Sequence, residues 1–231
     1  ADKYAVKKFV ADRIGSEHVV PLLGVWDRFD DIDFDSLPEQ FVLKCTHDSG
    51  GLAVCRDKSS FNKMTARKVL EKSLARNYYY HLREWVYKDV PPRIIAEQYI
   101  PSLGKPESIE IKVTCFNGIA KLNTICRGIA HDLPSKRNND HYDRNMNRLM
   151  FSVVYKNPEV PEHIPEQMPE IIALSEKLSA GIPQVRIDWY IVDGNIYFGE
   201  FTFYTWGGFM RFNPPEWDEI LGSWLTLPDK H

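Results

Sequence analysis

Arg186, Asp188 and Glu200 are the residues of this chain whose types and spacing most suggest chemistry. All three charges fall within QVRIDWYIVDGNIYFGEFTFYTWGGF (184–209), a stretch dominated by aromatic and β-branched residues. Charges in such surroundings need a partner or a metal. Two hard carboxylates beside a guanidinium suit Mg²⁺, which binds through one or two protein carboxylates plus substrate phosphates. The arginine would then face charge developing on a transferring phosphoryl or acyl-phosphate group. An internal salt bridge that staples a hairpin is the other reading of the same residues, and both are open at this point.

The element that must position them is a hairpin around Asp193-Gly194. Asp188 and Glu200 are twelve residues apart, and strand side chains change face at every residue, so the register determines which carboxylates meet. A two-residue loop pairs Asp188 with Gly199 and sends Glu200 to the opposite face. A three-residue loop closed by a bulged residue pairs Asp188 with Glu200 and Arg186 with Thr202; of the two, only this register gathers the charges.

A second stretch, FVLKCTHDSGGLAVC (41–55), reads as strand, polar glycine loop, strand, with Lys44 ending the first strand. Backbone N–H groups of such a loop can approach phosphate because no Cβ intervenes, and a lysine there supplies the matching charge. The stretch has no Walker GxxxxGK[ST], so a plain turn is the competing reading.

The flanking elements follow from pattern. Asp2 reads as the N-cap of a helix carrying Val6, Phe9, Val10 and Ile14 and stopped by Gly15. HVVPLLGVW reads as an edge strand because of Pro21. Residues 62–77 predict a helix with Val69, Leu70 and Leu74 inward. NYYYHLREWVYK surrounds Arg83 and Trp85 with aromatics, which form either core or a contact surface for substrate. RIIAEQYI reads as a strand whose polar end, from Glu97 on, could bond an adenine edge.

SIEIKVTCF and IAKLNTICR predict a hairpin across Asn117-Gly118, with Glu110 and Lys112 on one face as a solvent-facing ion pair. Residues 128–151 read as polar and irregular, with His131 and His141 as surface histidines that lack ligand spacing. A Pro-rich linker precedes a helix over 169–181, and Trp206, Gly207 and Gly208 either make a turn or admit a substrate closely.

Composition bounds the rest. The 231 residues are 43% hydrophobic and 26% charged, enough for one good core or two small ones in a soluble globular protein. A formal net charge of −3 supplies no basic field for nucleic acid. No apolar run reaches membrane-spanning length, and no signal peptide is recognisable. Cys45, Cys55, Cys115 and Cys126 lack CxxC spacing and read as buried thiols of a cytoplasmic protein. The opening at Ala1, without Met and directly at a helix start, reads as the loss of an upstream segment.

Lysine strand, glycine loop, hinge strand, second hairpin, then Arg-x-Asp and Glu follow one another in an order that resembles the ATP-grasp superfamily. DKYAVKKFV, LPEQFVLKCTHDSGG, NYYYHLREWVYK, PRIIAEQYI, FNG, GIPQVRIDWY and YFGEFTFY narrow this to the TupA-like ATP-grasp family. That family is associated with teichuronic acid and other surface-polysaccharide biosynthesis, and is sometimes labelled glycosyltransferase. The resemblance covers nearly the whole chain.

It implies that Lys44 binds nucleotide phosphate and that His47, Asp48, Ser49, Gly50 and Gly51 form the loop over it. Glu97, Gln98, Tyr99 and Ile100 would be the adenine hinge. Glu110 would bind ribose and Lys112 a phosphate. Asp188 and Glu200 would hold Mg²⁺, with Thr202 standing where the superfamily carries Asn, and Arg186 would steady the phosphoryl group. Arg83, Trp85, Trp206, Gly207 and Gly208 are the candidate substrate residues.

The expectation is therefore an α+β ATP-grasp fold, two α+β subdomains with antiparallel sheets clamping a nucleotide. Its expected parts are an N-terminal segment over 1–38, a small lysine-loop subdomain over 39–100 and a large metal-hairpin subdomain over 101–231. The expected activity is ATP- and Mg²⁺-dependent ligation, in which a carboxylate substrate is activated as an acyl phosphate and passed to a nucleophilic acceptor. The alternatives are a glycosyltransferase using a sugar nucleotide, for which Asp31-Ile32-Asp33 in the acidic loop is a DxD motif, and a nucleotide-binding scaffold without turnover.

Overall fold

The computed structural model describes residues 1–101, 109–127 and 137–228. Of the loop that the prolines predict over 101–106, residues 102–106 lie outside the described residues, as do the first residue of the second hairpin and His131. The chain divides into two compact units, one of Ala1–Asp12 with Val19–Pro101, the other of Arg13–His18 with the described residues from 109 onward.

In the first unit, β1 (Leu22–Trp26), β2 (Phe41–Cys45), β3 (Leu52–Cys55) and β4 (Ile94–Gln98) form an antiparallel sheet in the order β1-β4-β2-β3. The expected edge position of β1 is thus observed, although the strand begins only after Pro21. Phe41, Leu43 and Cys45 alternate inward along β2 and pack with Ile94, Ala96, Ala66 and Leu70, which leaves Val42 and Lys44 on the other face. Ala66 and Leu70 belong to α2 (Lys63–Leu74), which Asn62 caps through its side chain to the Thr65 N–H at 2.9 Å. Val69, expected inward, is exposed, because the buried stripe of α2 runs through Ala66, Leu70 and Ser73. Asp2 caps α1 (Ala5–Ile14), accepting from the N–H groups of Tyr4 and Ala5.

The aromatic run after α2 forms the short α3 (Tyr79–Leu82) and a 3₁₀ turn, and none of it is core. Tyr80 and Trp85 are exposed, with Arg83 over the faces of Tyr79 and Tyr80 and Lys88 over Trp85. Cation–π stacking thus takes the place of burial here.

In the second unit, β5 (Ile109–Phe116), β6 (Ile119–Arg127), β7 (Asn138–Tyr142), β8 (Arg148–Leu149), β9 (Gln184–Val192) and β10 (Asn195–Thr202) pair antiparallel in the order β10-β9-β5-β6-β7-β8. The polar stretch read as irregular therefore contributes two strands, because cross-strand pairing to β6 outweighs its weak β propensity. One face of this sheet is covered by α4 (Met168–Ser179), which buries Ile171, Leu174 and Leu178, while Trp189 donates to Ser175 Oγ at 2.9 Å. Val113, Val185, Ile187 and Trp189 are fully buried. The even-numbered residues of β5 and β9 point the other way, toward a face partly closed by α5 (Glu216–Gly222) and a cluster of Phe116, Leu122, Phe151 and Leu221.

The hairpin of β9 and β10 corrects one expectation. Its turn has two residues: Val192 pairs with Asn195, and Asp193 and Gly194 both take positive φ, at 50° and 80°. The register that joins Asp188 to Glu200 is nevertheless present, because a bulge at Gly199 shifts the ladder after Phe198. A Cβ at Gly199 would stand 2.8 Å from Tyr190 Cε2 and 2.9 Å from the Asp188 carbonyl oxygen, so only glycine closes this bulge.

Candidate active site

Cross-strand pairing sets five polar residues in one row on the face away from α4. Glu200 pairs with Asp188, Asp188 with Lys112, Lys112 with Thr124 and Thr124 with His141, across β10, β9, β5, β6 and β7. Neighbouring strands lie about 4.8 Å apart, so the row runs from a charged end to a neutral one about 19 Å away.

The charged end is a closed ion-pair network. Arg186 Nε and Nη2 donate to the two oxygens of Asp188 at 2.6 and 2.8 Å, and Lys112 Nζ donates to Asp188 Oδ2 at 3.0 Å. Lys112 also pairs with Glu110 at 3.0 Å, and Arg186 Nη2 donates to Thr202 Oγ1 at 3.0 Å. Asp188 is buried and Glu110 and Lys112 nearly so; the pair expected to face solvent is therefore interior. Burial would raise the Asp188 carboxyl, but Lys112 and Arg186 outweigh it and hold it below the usual range. Burial equally disfavours charge on Lys112 and Arg186, and the carboxylates around them hold both cations above their ordinary values. Glu110 goes the other way: burial pushes it up against the pull of Lys112.

The donor set available to Mg²⁺ is uneven. A carboxylate offers about four lone-pair sites, and Asp188 already spends three on Arg186 and Lys112. Glu200 is half-exposed and its nearest cation, Arg186 Nη2, is 4.0 Å away, so it supplies the open oxygens. Two opposed carboxylates, one of them open, with the Thr202 hydroxyl beside them, fit a hard cation completed by phosphate oxygens.

A cavity of about 620 Å³ adjoins this network, lined by Glu110, Lys112 and Arg186 and by apolar side chains including Phe151 and Leu221. Trp206 and Gly208, two of the candidate substrate residues, also line it. Trp206 and Gly207 hold left-handed backbone at φ 54° and 63°, a conformation that a bulky aromatic seldom adopts. His141, read as a surface histidine, is buried instead and lines the same cavity, stacked on Phe151 at 4.2 Å.

In the first unit, Lys44 lies on the face opposite the core and pairs with Glu97 at 2.5 Å. Glu97 also pairs with Lys7 of α1 at 2.6 Å, and Lys7 donates to the Val20 carbonyl at 2.7 Å. The carboxylate of Glu97 is therefore committed to two lysines rather than open at the strand end. Burial would raise it, yet Lys44 and Lys7 together hold it below its ordinary value. Lys7 itself is lowered, since burial outweighs the attraction of Glu97. Beyond Glu97, Gln98 is exposed and donates its backbone N–H to Pro21, and Tyr99 and Ile100 are half-buried.

The glycine loop divides in two. His47 and Asp48 are buried, His47 against the Ser73 and Arg76 carbonyls at 3.1 Å, Asp48 against Ser73 and Arg76. These two are pinned by contacts to α2 and the residues after it, whereas Ser49 and Gly50 are exposed. A Cβ on Gly51 would collide with the Ser73 side chain, which explains the second glycine.

Lys7, Gly199 and His141 are absent from the sequence reading of the site. Gly199 had a signal, since a lone glycine inside a strand pattern marks a bulge. Lys7 and His141 had none, because their partners are 90 and 17 residues away in the chain.

Among solved structures, D-alanine–D-alanine ligase from Bacillus anthracis complexed with ATP matches with 16% identity and a TM-score of 0.48, over 87% of this chain and 52% of that chain. The D-alanine–D-alanine ligase of Helicobacter pylori matches with 12% identity and a TM-score of 0.49, over 89% and 54%. D-cycloserine synthetase matches with 14% identity and a TM-score of 0.48, over 87% and 61%. The chain thus spans little more than half the length of these proteins. No curated protein matches its sequence. The family model described as TupA-like ATPgrasp matches residues 1–226. With that match over nearly its whole length and two antiparallel sheets flanked by helices, this chain belongs to the TupA-like ATP-grasp family.

Proposed function

We propose that this protein is an ATP- and Mg²⁺-dependent ligase that activates a carboxylate substrate through an acyl phosphate and passes it to a nucleophilic acceptor. The observation that carries the reading is the Arg186–Asp188–Lys112 network with Glu200 open beside it, bordering a cavity large enough for a small molecule. Arg186 and Lys112 are fixed cations whose positions are set before any anion arrives, which is how electrostatic preorganisation lowers a phosphoryl-transfer barrier. Lys44 is held by Glu97 at a defined place on β2, ready to exchange part of that contact for a nucleotide phosphate. Ser49 and Gly50 are exposed, and the backbone of such a glycine loop suits the approach of the same phosphates. When bound, Mg²⁺ at Asp188 and Glu200, with Thr202 beside them, supplies charge neutralisation for the phosphates.

Family membership supports a setting in surface-polysaccharide biosynthesis, and buried free thiols support a reducing cytoplasm. No observation favours a sugar-nucleotide transferase. Asp31 pairs with Arg28 at 2.9 Å and Asp33 caps the next turn through the N–H of Asp35, so the DxD carboxylates serve local structure. Among the described residues, no helix is long and apolar enough to cross a membrane.

Calorimetric titration with a non-hydrolysable ATP analogue, with and without Mg²⁺ and beside UDP-sugars, tests the reading. Mg²⁺-dependent ATP binding that weakens in Lys44→Ala and Asp188→Asn is expected. Preference for a UDP-sugar, or no nucleotide binding at all, overturns it.

A further inference from the structure

Positive charge and exposed apolar surface coincide in one stretch of this chain. Residues 63–88 carry seven lysines and arginines and two glutamates, a net charge of +5 in a chain whose total is −3. The same stretch holds Met64, Tyr80 and Trp85, which are 80, 65 and 61% exposed, with Val69 and Leu82 exposed to a lesser degree. On α2, Met64, Lys68 and Lys72 recur every four residues and so share one row, away from the buried Ala66, Leu70 and Ser73. Among the described residues, Lys68 and Lys72 have no ion-pair partner, whereas Arg67 is answered by Asp30 and Glu71, and Arg76 by Asp48.

The loop that follows α2 is built to display its rings. Asn77 closes it, donating from Nδ2 to the Lys88 carbonyl at 2.8 Å and accepting from the Tyr79 N–H at 3.0 Å. Tyr78 and Tyr87 meet edge to face at 4.9 Å, and Tyr79 meets Trp85 at 6.1 Å. Arg83 stands over Tyr80 and Lys88 over Trp85, at 5.1 and 4.3 Å. A single strand of nucleic acid would use the ring faces, which these cations already claim in part, and would leave Met64 and Leu82 without a role. The boundary of a lipid bilayer uses all of these groups, because aromatic and aliphatic bodies enter it while lysine and arginine stay with the headgroups.

We propose that residues 63–88 form a docking surface for an anionic lipid bilayer, with Lys68, Lys72 and Lys88 at the headgroups and Tyr80, Leu82 and Trp85 entering the interface. Charge complementarity selects this occupant. The stretch is attracted to a sheet of negative headgroups while the remainder of the chain, which is net acidic, is repelled, so the protein approaches in one orientation. The exposed apolar side chains then hold what the charges attract, since stable attachment takes two such signals. The proposal is independent of the ligase reading.

The test is flotation of the full chain with vesicles of phosphatidylcholine alone and of equal parts phosphatidylcholine and phosphatidylglycerol. Binding to the anionic vesicles only, weakened by salt, is expected, with quenching of tryptophan fluorescence by brominated lipid that falls in Trp85→Ala. Lys68→Glu combined with Lys72→Glu should weaken partitioning at least about tenfold. Lys156→Glu combined with Lys177→Glu makes the same change of net charge at exposed positions of the second unit and should change partitioning far less. Circular dichroism and urea midpoints report whether each variant is folded. With the wild type alone, absence of binding, equal binding to both kinds of vesicle, or binding without quenching overturns the proposal. Equal loss in the two folded charge-reversal variants overturns it as well, and so does tighter binding to a single-stranded oligonucleotide or to polyglutamate than to the anionic vesicles.

Discussion

Glu200 faces Asp188 across β9 and β10 only because Gly199 bulges out of the ladder between Phe198 and Glu200. Without that extra residue the two-residue turn would set Glu200 on the α4 side of the sheet. Gly199→Ala is expected to destabilise the protein by about 1–3 kcal/mol, the usual cost of forcing an atom into a packed site. Urea unfolding measures this. If alanine is tolerated without loss of stability, the bulge is not the constraint described.

Asp188→Asn removes the negative charge that two buried cations share. Breaking a buried pair from one side costs about 3–5 kcal/mol, and the amide recovers part of that through its oxygen. The pH dependence has a defined sign. Because the folded carboxyl lies below its ordinary value, the unfolded chain takes up the proton first as pH falls. The contribution is whole above about pH 4 and is lost as pH falls through the folded value. Urea midpoints between neutral pH and pH 3 should therefore fall less steeply in Asp188→Asn than in the wild type.

Glu97→Gln should loosen α1 as well as free Lys44. Lys7 and Lys44 would keep their mutual repulsion and lose the carboxylate between them. Amide hydrogen exchange should rise along Ala5–Ile14 more than in α4. A uniform rise in both helices would contradict the local role given to this triad.

His141 should show no titration between pH 8 and 5, with side-chain nitrogen shifts of a neutral ring throughout, because its pKa is lowered to about 4. An unfolded histidine protonates near pH 6.5, so stability is lost as pH falls from there toward 4, by about 3 kcal/mol in all. His141→Gln should remove that part of the pH dependence.

The four cysteines offer a simpler check. Burial raises Cys45 and Cys115 to about 11 and Cys126 to about 12, and it raises Cys55 as well. Little thiolate exists at pH 8 in the folded chain. A thiol reagent should react slowly with the native protein and rapidly in urea; a fast native phase would contradict their burial.

By itself the sequence determined the elements and the family. Lys44 was legible at the end of a strand before a glycine loop, Asn117-Gly118 and Asp193-Gly194 marked where their turns lie, and the ordered motifs marked the ATP-grasp fold. These are local signals, readable because turn chemistry and strand period act over a few residues. Only the tertiary structure determined what met what. The bulge at Gly199, the commitment of Glu97 to Lys7 and Lys44, the pinning of Asp48 by Ser73 and Arg76, and the burial of His141 against Phe151 each join residues distant in the chain or depend on register. Burial then sets their charge states: the carboxyl is held down at Asp188, where Lys112 and Arg186 outweigh burial, and pushed up at Glu110, where burial and the neighbouring Asp188 outweigh the pull of Lys112. No spacing in a sequence encodes that difference, because it arises from solvent excluded by the rest of the fold.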